Sequence, residues 1–351
     1  MEIKYSWTKI QAFKQPIVKE KYKELWKKIK QNSIRLDNIC GVHRGLWTGA
    51  LYVFIVPEDI IEEYNIERDA LRPAIRGRDI RPFGYIWNGF YVIYASARHV
   101  PNFADKFPNT MTWLEKHRII LERRSAVFTW KKEWWELEDP LDPKIFELAK
   151  ILSPLFARYP SFALDYDGKF YVLDSTVMIR KWLSEEELSE YAKNWNKINE
   201  PKINIEAFLE IFNDFWKRFK STEQGLWYIL GLLNSEVLEF FFKQYSPRLS
   251  KRTRRPKKGR WFSYMPPYIN ILPIRTSSSD VINKVINLSK EISVLTSKYL
   301  SLQENADKSY KNQLESEIGF LLKDLNETIF EIYNLTEKEI ITLQNFVYKK
   351  R

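Results

Sequence analysis

Apolar stretches alternate with charged ones along the chain and predict a mixture of strands and helices. LYVFIV at 51–56 and FYVIYA at 90–95 are rich in β-branched and aromatic residues, which favours strands. FALDY and KFYVL flank Asp167-Gly168, a favoured two-residue turn, and therefore predict a β-hairpin within 160–178.

Helical periodicity is clearest in four segments before residue 245. The predicted helices cover residues 18–31, 112–124, 204–220 and 223–243, and the last of these is apolar on most faces, as a buried helix would be. Because strands and helices do not alternate in a regular βαβ rhythm, we expect an α+β fold with a mixed sheet.

The pattern changes at Ser277-Ser278-Ser279-Asp280, which ends in residues that commonly cap helices. After this loop, apolar residues recur at spacings of three and four, a heptad seam. The seam comprises Val285, Leu288, Ile292, Leu295, Tyr299 and Leu302. A second stripe follows the break ENADKSYKN and comprises Leu314, Ile318, Leu321, Leu325 and Ile332.

Thr336 and Glu339 have capping-box spacing and predict a last helix. The two seams predict an antiparallel, coiled-coil-like helical arm, which could fold back on its own domain or dock a partner. We therefore expect an N-terminal helical lead-in at 1–33, a principal domain at 34–276 and the helical arm at 277–351.

Positive charge is concentrated before the arm. The chain has a formal net charge of +11, and residues 1–279 hold 46 basic against 34 acidic side chains. Eight basic residues and no acidic ones lie in RLSKRTRRPKKGR at 248–260, which we call the basic run. They are Arg248, Lys251, Arg252, Arg254, Arg255, Lys257, Lys258 and Arg260. Like charges this close favour contact with the phosphates of a polyanion.

The small number of cysteines and histidines limits which disulfides and metal sites the chain can form. One cysteine excludes an internal disulfide and suits a reducing cytoplasm, and the three histidines have no zinc-ligand spacing. No apolar run approaches the ~20 residues of a membrane span, and MEIKYSWTKI lacks the apolar core of a signal peptide. We expect a cytoplasmic prokaryotic protein with no membrane and no metal.

Motifs for phosphate or cofactor binding are absent from the sequence, including the Walker A loop and GxGxxG. Met265-Pro266-Pro267-Tyr268 has methionine where amino-methyltransferases carry Asn or Asp, so we interpret it as structural. Asp165, Asp167 and Lys169 could in principle hold Mg²⁺, although the Asp-Gly turn accounts for Asp167 more simply.

Several motifs in order resemble the TaqI-like C-terminal specificity domain of adenine-specific DNA methyltransferases, found in type II restriction–modification and BREX-type enzymes. They include GVHRGLWTGALYVF (41–54), LRPAIRGRDIRPF (71–83), FPNTMTWLEKHRIILERR (107–124), KILSPLFARYPSFALDYDGKFYVLDST (150–176), LWYILGLLNSEVLEFFF (226–242) and YINILPI (268–274). The resemblance covers roughly 34–275 and extends more loosely to NLTEKEIITL at 334–343.

This resemblance implies a target-recognition domain that binds double-stranded DNA for a separate catalytic domain. The catalytic domain would flip an adenine and methylate its N6 with S-adenosylmethionine. The catalytic half is missing here, so the chain is expected to be a specificity subunit, a split gene product or a fragment. A methyltransferase catalytic domain or subunit is the expected partner, and self-association through the arm is a further possibility.

Two basic loops carry the candidates for base contact. They are Arg44, Trp47, Thr48, Arg76, Arg78 and Arg81. Arginine is the commonest reader of guanine, whereas the basic run would contact phosphates, which carry no sequence information. Surface ion pairing with Asp79 or Glu67 is the alternative for these arginines. A Mg²⁺-dependent endonuclease and a generic nucleic-acid-binding protein remain the alternative functions.

Overall fold

The computed structural model describes residues 18–198, 202–246, 261–302 and 307–350. The α-helices in these residues are α1 (Lys23–Lys30), α2 (Leu51–Phe54), α3 (Glu58–Glu63), α4 (Phe103–Lys106), α5 (Pro108–Lys116), α6 (Arg118–Glu122), α7 (Ser125–Phe128), α8 (Glu185–Ile198), α9 (Ile205–Trp216), α10 (Thr222–Leu233), α11 (Glu236–Tyr245), α12 (Pro266–Ile269), α13 (Ser279–Ser301), α14 (Lys308–Ile332) and α15 (Glu337–Lys350). The strands are β1 (Ile34–Arg35), β2 (Cys40–Arg44), β3 (Ile55–Val56), β4 (Leu71–Ile75), β5 (Ile80–Arg81), β6 (Gly84–Tyr85), β7 (Tyr91–Ile93), β8 (Lys150–Pro154), β9 (Phe156–Ala157), β10 (Ala163–Asp165), β11 (Tyr171–Val172), β12 (Thr176–Lys181), β13 (Phe262–Ser263) and β14 (Pro273–Ile274).

Two four-stranded sheets organise the fold. The antiparallel sheet has the order β10-β8-β12-β2, and Met178 of β12 lies opposite His43 of β2. The mixed sheet has the order β11-β4-β7-β3, in which β11 and β4 run parallel. Short two-stranded pairs join β1 to β14, β5 to β6 and β9 to β13. The predicted α+β class with a mixed sheet is confirmed.

The hydrophobic core has two parts. The mixed sheet and helices α2 to α5 enclose one part, which includes Phe54, Ile75, Val92, Leu114 and Val172. The antiparallel sheet and the C-terminal helices enclose the other, which includes Ile179, Phe212, Leu230, Phe240 and Ile292. The helices predicted over 18–31, 112–124 and 204–220 are present as α1, α5 with α6, and α9.

The C-terminal helices form an antiparallel pair that folds back on the rest of the chain. Lys284 of α13 forms an ion pair of 2.7 Å with Asp324 of α14. The same helix α13 packs on α10, and its Ser293 hydroxyl donates a 2.8 Å hydrogen bond to the Phe83 carbonyl. Of the two arrangements left open by the sequence, the one observed is packing on its own domain.

The ends of this helical arm are also tied to the rest of the chain. The Glu339 carboxylate accepts hydrogen bonds from the backbone and hydroxyl of Thr336, both at 2.8 Å, as the capping-box spacing predicts. Its ion pair with Lys28, at 2.6 Å, joins α15 to α1. In the seam of α13, Val285, Leu288 and Ile292 are buried. The seam therefore faces the domain as well as α14.

The apolar segment 223–243 is two helices with a sharp bend. Helices α10 and α11 meet at 66°, and Asn234 at the break binds both backbone groups of Phe162 through its side-chain amide, at 3.0 and 2.9 Å. Ser235 caps α11 by accepting the Leu238 N–H at 3.2 Å. No single helix in the described part of the chain is long and apolar enough to cross a membrane, although this bent, buried pair has the composition to do so.

The strand predicted at 51–56 is wrong for its first four residues. Leu51–Phe54 form a helical turn, and only Ile55–Val56 form a strand. Val53 and Phe54 are both buried while Tyr52 is 92% exposed. A strand would send neighbouring side chains to opposite faces, whereas a helical turn lets both enter the core.

The hairpin predicted within 160–178 is also wrong. A turn does form, with Gly168 at φ +63°, but β10 pairs with β8 and β11 pairs with β4, in different sheets. The Asp165 carboxylate diverts the chain, because it accepts the N–H groups of Lys169 at 3.0 Å and Phe170 at 2.9 Å. It also binds the Lys150 ammonium at 2.5 Å, and both side chains are buried.

One turn, residues 173–175, connects β11 in the mixed sheet to β12 in the antiparallel sheet. We call it the central turn. The backbone leaving β2 packs against it: the Gly45 N–H donates to the Thr176 carbonyl at 3.0 Å. A Cβ on Gly45 would collide with the carbonyl oxygens of Leu173 and Val172. Glycine is therefore required for this approach.

The backbone leaving β4 packs against the same turn. The Leu173 N–H donates to the Ile75 carbonyl at 3.2 Å, and the Gly77 N–H donates to the Ser175 hydroxyl at 3.2 Å. A Cβ on Gly77 would collide with the Ser175 carbonyl oxygen. Both basic loops predicted from sequence thus begin at the junction between the sheets.

Replacing Gly45 with alanine should destabilise the fold by about 1–3 kcal/mol, because the added methyl group forces the junction apart. The measurement is urea unfolding followed by circular dichroism. Gly319→Ala is the matched control, since nothing lies within 4 Å of the added carbon in the middle of exposed α14. It should raise stability by about 0.5–1 kcal/mol. Equal effects of the two substitutions would contradict the packing described.

Replacing Asp165 with alanine should lower the free energy of unfolding by about 3–5 kcal/mol, because it leaves the buried Lys150 without its counter-charge. The same substitution at exposed Asp167 should change stability by no more than about 0.5 kcal/mol. Urea unfolding of both variants checks this. Unchanged stability of Asp165→Ala together with loss of Mg²⁺-dependent DNA cleavage would instead favour the endonuclease alternative.

Candidate nucleic-acid interface

Two arginines extend from the junction with their guanidinium groups largely available. Arg44 ends β2 and is exposed; one of its nitrogens donates a long hydrogen bond, 3.3 Å, to the Asp174 carbonyl of the central turn. Arg78 is exposed directly after Gly77, which binds the same turn. The two loops therefore place Arg44 and Arg78 on either side of the central turn, and both retain donors that can reach a ligand.

The other two arginines of the second loop are engaged within it. The Arg76 guanidinium forms an ion pair of 3.0 Å with Asp79 and lies 4.0 Å from the centre of the Phe90 ring. Arg81 donates to the Arg78 carbonyl at 2.7 Å. Ion pairing with Asp79 is thus present for Arg76. These contacts stiffen the loop that carries Arg78.

Trp47 and Thr48 occupy different environments in the first loop. Trp47 is 48% exposed and contacts Trp130 edge to face, with ring centres 6.4 Å apart. Thr48 is buried, and its carbonyl accepts a 2.9 Å hydrogen bond from Arg124. Burial lowers the pKa of Arg124. Trp47 can contact a ligand directly, whereas Thr48 anchors the loop to the protein.

The eight basic residues of the basic run lie outside the described residues, but both flanks are defined. The Ser246 hydroxyl donates to the Ser263 carbonyl at 2.9 Å, so the two ends of the run are joined. Arg158, beside β9, lies over the Trp261 ring at 5.6 Å. Both flanks of the basic run, which we call its root, therefore lie at the β9–β13 pair.

The β9–β13 pair adjoins the central turn. The Leu155 N–H donates to the Ser175 carbonyl at 2.8 Å, and the Tyr264 N–H donates to the Leu155 carbonyl at 2.8 Å. Two arginine-bearing loops and the root of the basic run consequently meet around one turn. We call this region the junction surface.

Two members of the junction surface were missed by sequence reasoning. Arg158 is a lone arginine in FARYP, and Asp174 is a lone acidic residue in VLDST. Neither stands in a motif, and only strand pairing brings them to the site. The resemblance did include both positions within 150–176, but it did not distinguish them from structural residues.

The remaining candidates for chemistry have structural surroundings. Burial lowers the pKa of His43 to about 3, so this imidazole stays neutral. Met265-Pro266-Pro267-Tyr268 begins α12, and the Tyr268 carbonyl accepts a 2.6 Å hydrogen bond from the Tyr245 hydroxyl. Among the described residues, no group of three or more His, Cys, Asp or Glu side chains is placed to hold a metal ion.

No family model matches the chain. It is 30% identical over 134 residues to the Type II methyltransferase M.BstVI of Geobacillus stearothermophilus, which covers 38% of this chain and 23% of that protein. It is 27% identical over 173 residues to the Type II methyltransferase M.BanIII of Aneurinibacillus aneurinilyticus, covering 43% of this chain and 30% of that protein.

Two solved structures are similar. The Type IIL restriction–modification enzyme MmeI, determined in complex with DNA, matches with a TM-score of 0.54 and 10% identity over 91% of this chain and 36% of that one. The type IIG restriction endonuclease BpuSI gives a TM-score of 0.41 and 12% identity over 90% of this chain and 33% of that one.

The chain therefore spans less than a third of the length of the curated relatives that it matches. Its partial sequence similarity is to type II methyltransferases, and most of the chain has a fold similar to about a third of MmeI. The chain is related to restriction–modification methyltransferases and corresponds to part of them.

Proposed function

We propose that this chain is the DNA target-recognition module of an adenine-N6 methyltransferase of restriction–modification or BREX type. The observation that carries the proposal is the junction surface, where two arginine-bearing loops are fixed on one turn beside the root of the basic run. The module binds double-stranded DNA and presents it to a catalytic part that binds S-adenosylmethionine and methylates the flipped adenine.

Electrostatics supports a nucleic-acid ligand. Residues 1–279 carry a net charge of +12, and eight basic residues are concentrated between Ser246 and Trp261, which both lie at the junction surface. Contact with phosphates releases condensed counterions, which makes such a segment bind duplex DNA in a salt-dependent way. MmeI, whose fold is similar, was solved with DNA bound, and this agrees with the proposal.

The proposed contacts divide into two classes. Arg44 and Arg78 enter the major groove and read base edges, with Trp47 beside them, because their side chains are exposed on stiff loops. Arg76 and Thr48 were also predicted to contact bases. In this proposal they instead stabilise the two loops, Arg76 through Asp79 and Thr48 through Arg124. The basic run contacts phosphates, which position the module but do not distinguish sequences.

The catalytic partner is proposed to be another subunit or another part of the same protein. The helical arm covers the module's own core with one face of α13 and α14 and presents the other face to solvent, where Phe320 is 79% exposed. In this proposal that outer face contacts the catalytic part. A pull-down that recovers no methyltransferase would count against it.

Selection of bound duplexes from a random-sequence pool tests sequence recognition directly. The full chain at physiological salt should enrich a short motif that contains an adenine. Random DNA that competes as well as the best enriched duplex would favour a generic binding protein. Adding a candidate catalytic partner and S-adenosylmethionine should then give methylation of that adenine.

Replacing Arg252, Arg254 and Arg255 together with alanine should lower affinity for every duplex and reduce the slope of log affinity against log salt by about three units. Fluorescence anisotropy at several salt concentrations measures this slope. The matched control is alanine at Lys298, Lys308 and Lys338, which removes the same charge from exposed positions of the helical arm. A similar loss of slope in both triple variants would contradict phosphate contact by the basic run.

Replacing Arg78 with alanine should instead relax preference at one base position, by about 1–3 kcal/mol, with little change in the salt slope. The same selection experiment reveals the altered position. Arg98→Ala, an exposed arginine outside both loops, should leave the motif unchanged. If Arg78→Ala weakened all sequences equally, Arg78 would be a phosphate contact and the proposed division would be wrong.

A further inference from the structure

An acidic residue stands at the centre of the junction surface. Asp174 lies at the tip of the central turn, and its backbone carbonyl accepts the hydrogen bond from Arg44. The next residue, Ser175, uses its hydroxyl to accept the Gly77 N–H. Asp174 is therefore held between the two loops that carry Arg44 and Arg78.

The Asp174 carboxylate takes no part in holding the fold together. Within the described part of the chain, its two carboxylate oxygens accept no hydrogen bond and form no ion pair. The side chain is only half-buried. This contrasts with Asp79 and Asp165, whose carboxylates bind an arginine and a lysine of their own domain.

A carboxylate at this position is unfavourable beside a phosphate, because the two charges repel. It is favourable beside a hydrogen-bond donor. In the major groove the only such donors on base edges are the exocyclic amino groups, N4 of cytosine and N6 of adenine. Guanine and thymine present acceptors there, which an ionised carboxylate cannot bind.

We propose that Asp174 is a specificity-determining residue, whose carboxylate accepts a hydrogen bond from the exocyclic amino group of a cytosine or adenine between the base pairs contacted by Arg44 and Arg78. The inference rests on the proposed function. It adds one acidic base-contacting residue to the two arginines proposed above. Asp174 supplies discrimination more than affinity, because it penalises duplexes that place an acceptor edge against it.

The backbone geometry suits this role. The central turn is fixed at Leu173, Ser175 and Thr176 by hydrogen bonds to both sheets, so the Asp174 side chain is presented from a stiff support. A base reader has to hold its acceptor within hydrogen-bonding distance of one donor, and a rigid backbone lowers the entropy lost on binding. The carboxylate needs no rearrangement of the fold to meet the duplex.

The test compares the unsubstituted chain with its Asp174→Asn and Asp174→Ala variants by selection from the random duplex pool. The unsubstituted chain should exclude guanine and thymine at one position of its motif, and the base retained there distinguishes cytosine from adenine. Asp174→Ala should relax preference at that position by roughly 10-fold. Asp174→Asn should admit acceptor edges there, since its amide also donates.

Asp167→Asn is the matched control. It removes the same charge from an exposed turn residue outside the junction surface and should leave the motif unchanged. Unfolding midpoints of all three variants confirm that they fold.

Two results would overturn the inference, and they are distinguishable. An unchanged motif in both Asp174 variants would remove Asp174 as a reader while leaving the recognition function in place. Failure of the unsubstituted chain to enrich any motif would overturn the recognition function and the role of Asp174 together.

Discussion

The architecture depends on the close approach of three backbone segments at the central turn. Gly45 and Gly77 lack the Cβ atoms that would otherwise collide with carbonyl oxygens of residues 172–175. Their N–H groups instead donate to Thr176 and Ser175. Because the turn links the mixed sheet to the antiparallel sheet, this contact determines how the sheets meet. It also determines where the loops beginning at Arg44 and Arg76 leave the surface. The core and the candidate site therefore share one constraint, and a change that opens the junction would disturb both.

The helical arm extends this dependence to the C-terminal part of the chain. Helix α13 packs on α10 and bonds the Phe83 carbonyl through Ser293, while α15 is tied to α1 by Glu339 and Lys28. Phe83 follows the second basic loop closely, so this hydrogen bond ties the arm to the end of that loop. A helical arm that only separated two domains would not need these contacts with the rest of the chain. The antiparallel pair therefore contributes to the core and is bonded next to the second basic loop, in addition to presenting an outer face.

Local patterns predicted the fold class, most helices and the capping of α15, because these depend on residues close in sequence. They failed where the local structure depends on contacts with residues distant in sequence. Residues 51–54 have the composition of a strand, but burial of both Val53 and Phe54 requires a helical turn. Asp167-Gly168 forms its turn, yet Lys150 and Asp165 send the flanking strands to different sheets. The basic loops were identifiable from their arginines, whereas Asp174 was not, because its position between them is created only by sheet pairing.

Rigid loops and a highly charged segment suit different physical tasks. Reading a base edge requires donors and acceptors held at hydrogen-bonding distance, so flexible side chains lose entropy that offsets the contact. Arg78 lies in a loop stiffened by the Arg76–Asp79 pair, which limits that loss. Contact with phosphates is less demanding, because counterion release depends on the number of charges near the duplex more than on their exact arrangement. Under the proposed function, the eight basic residues of the basic run raise the local concentration of DNA without dictating its register. Under the same proposal, the register is set by the few side chains held at the central turn, and sequence discrimination follows from their geometry.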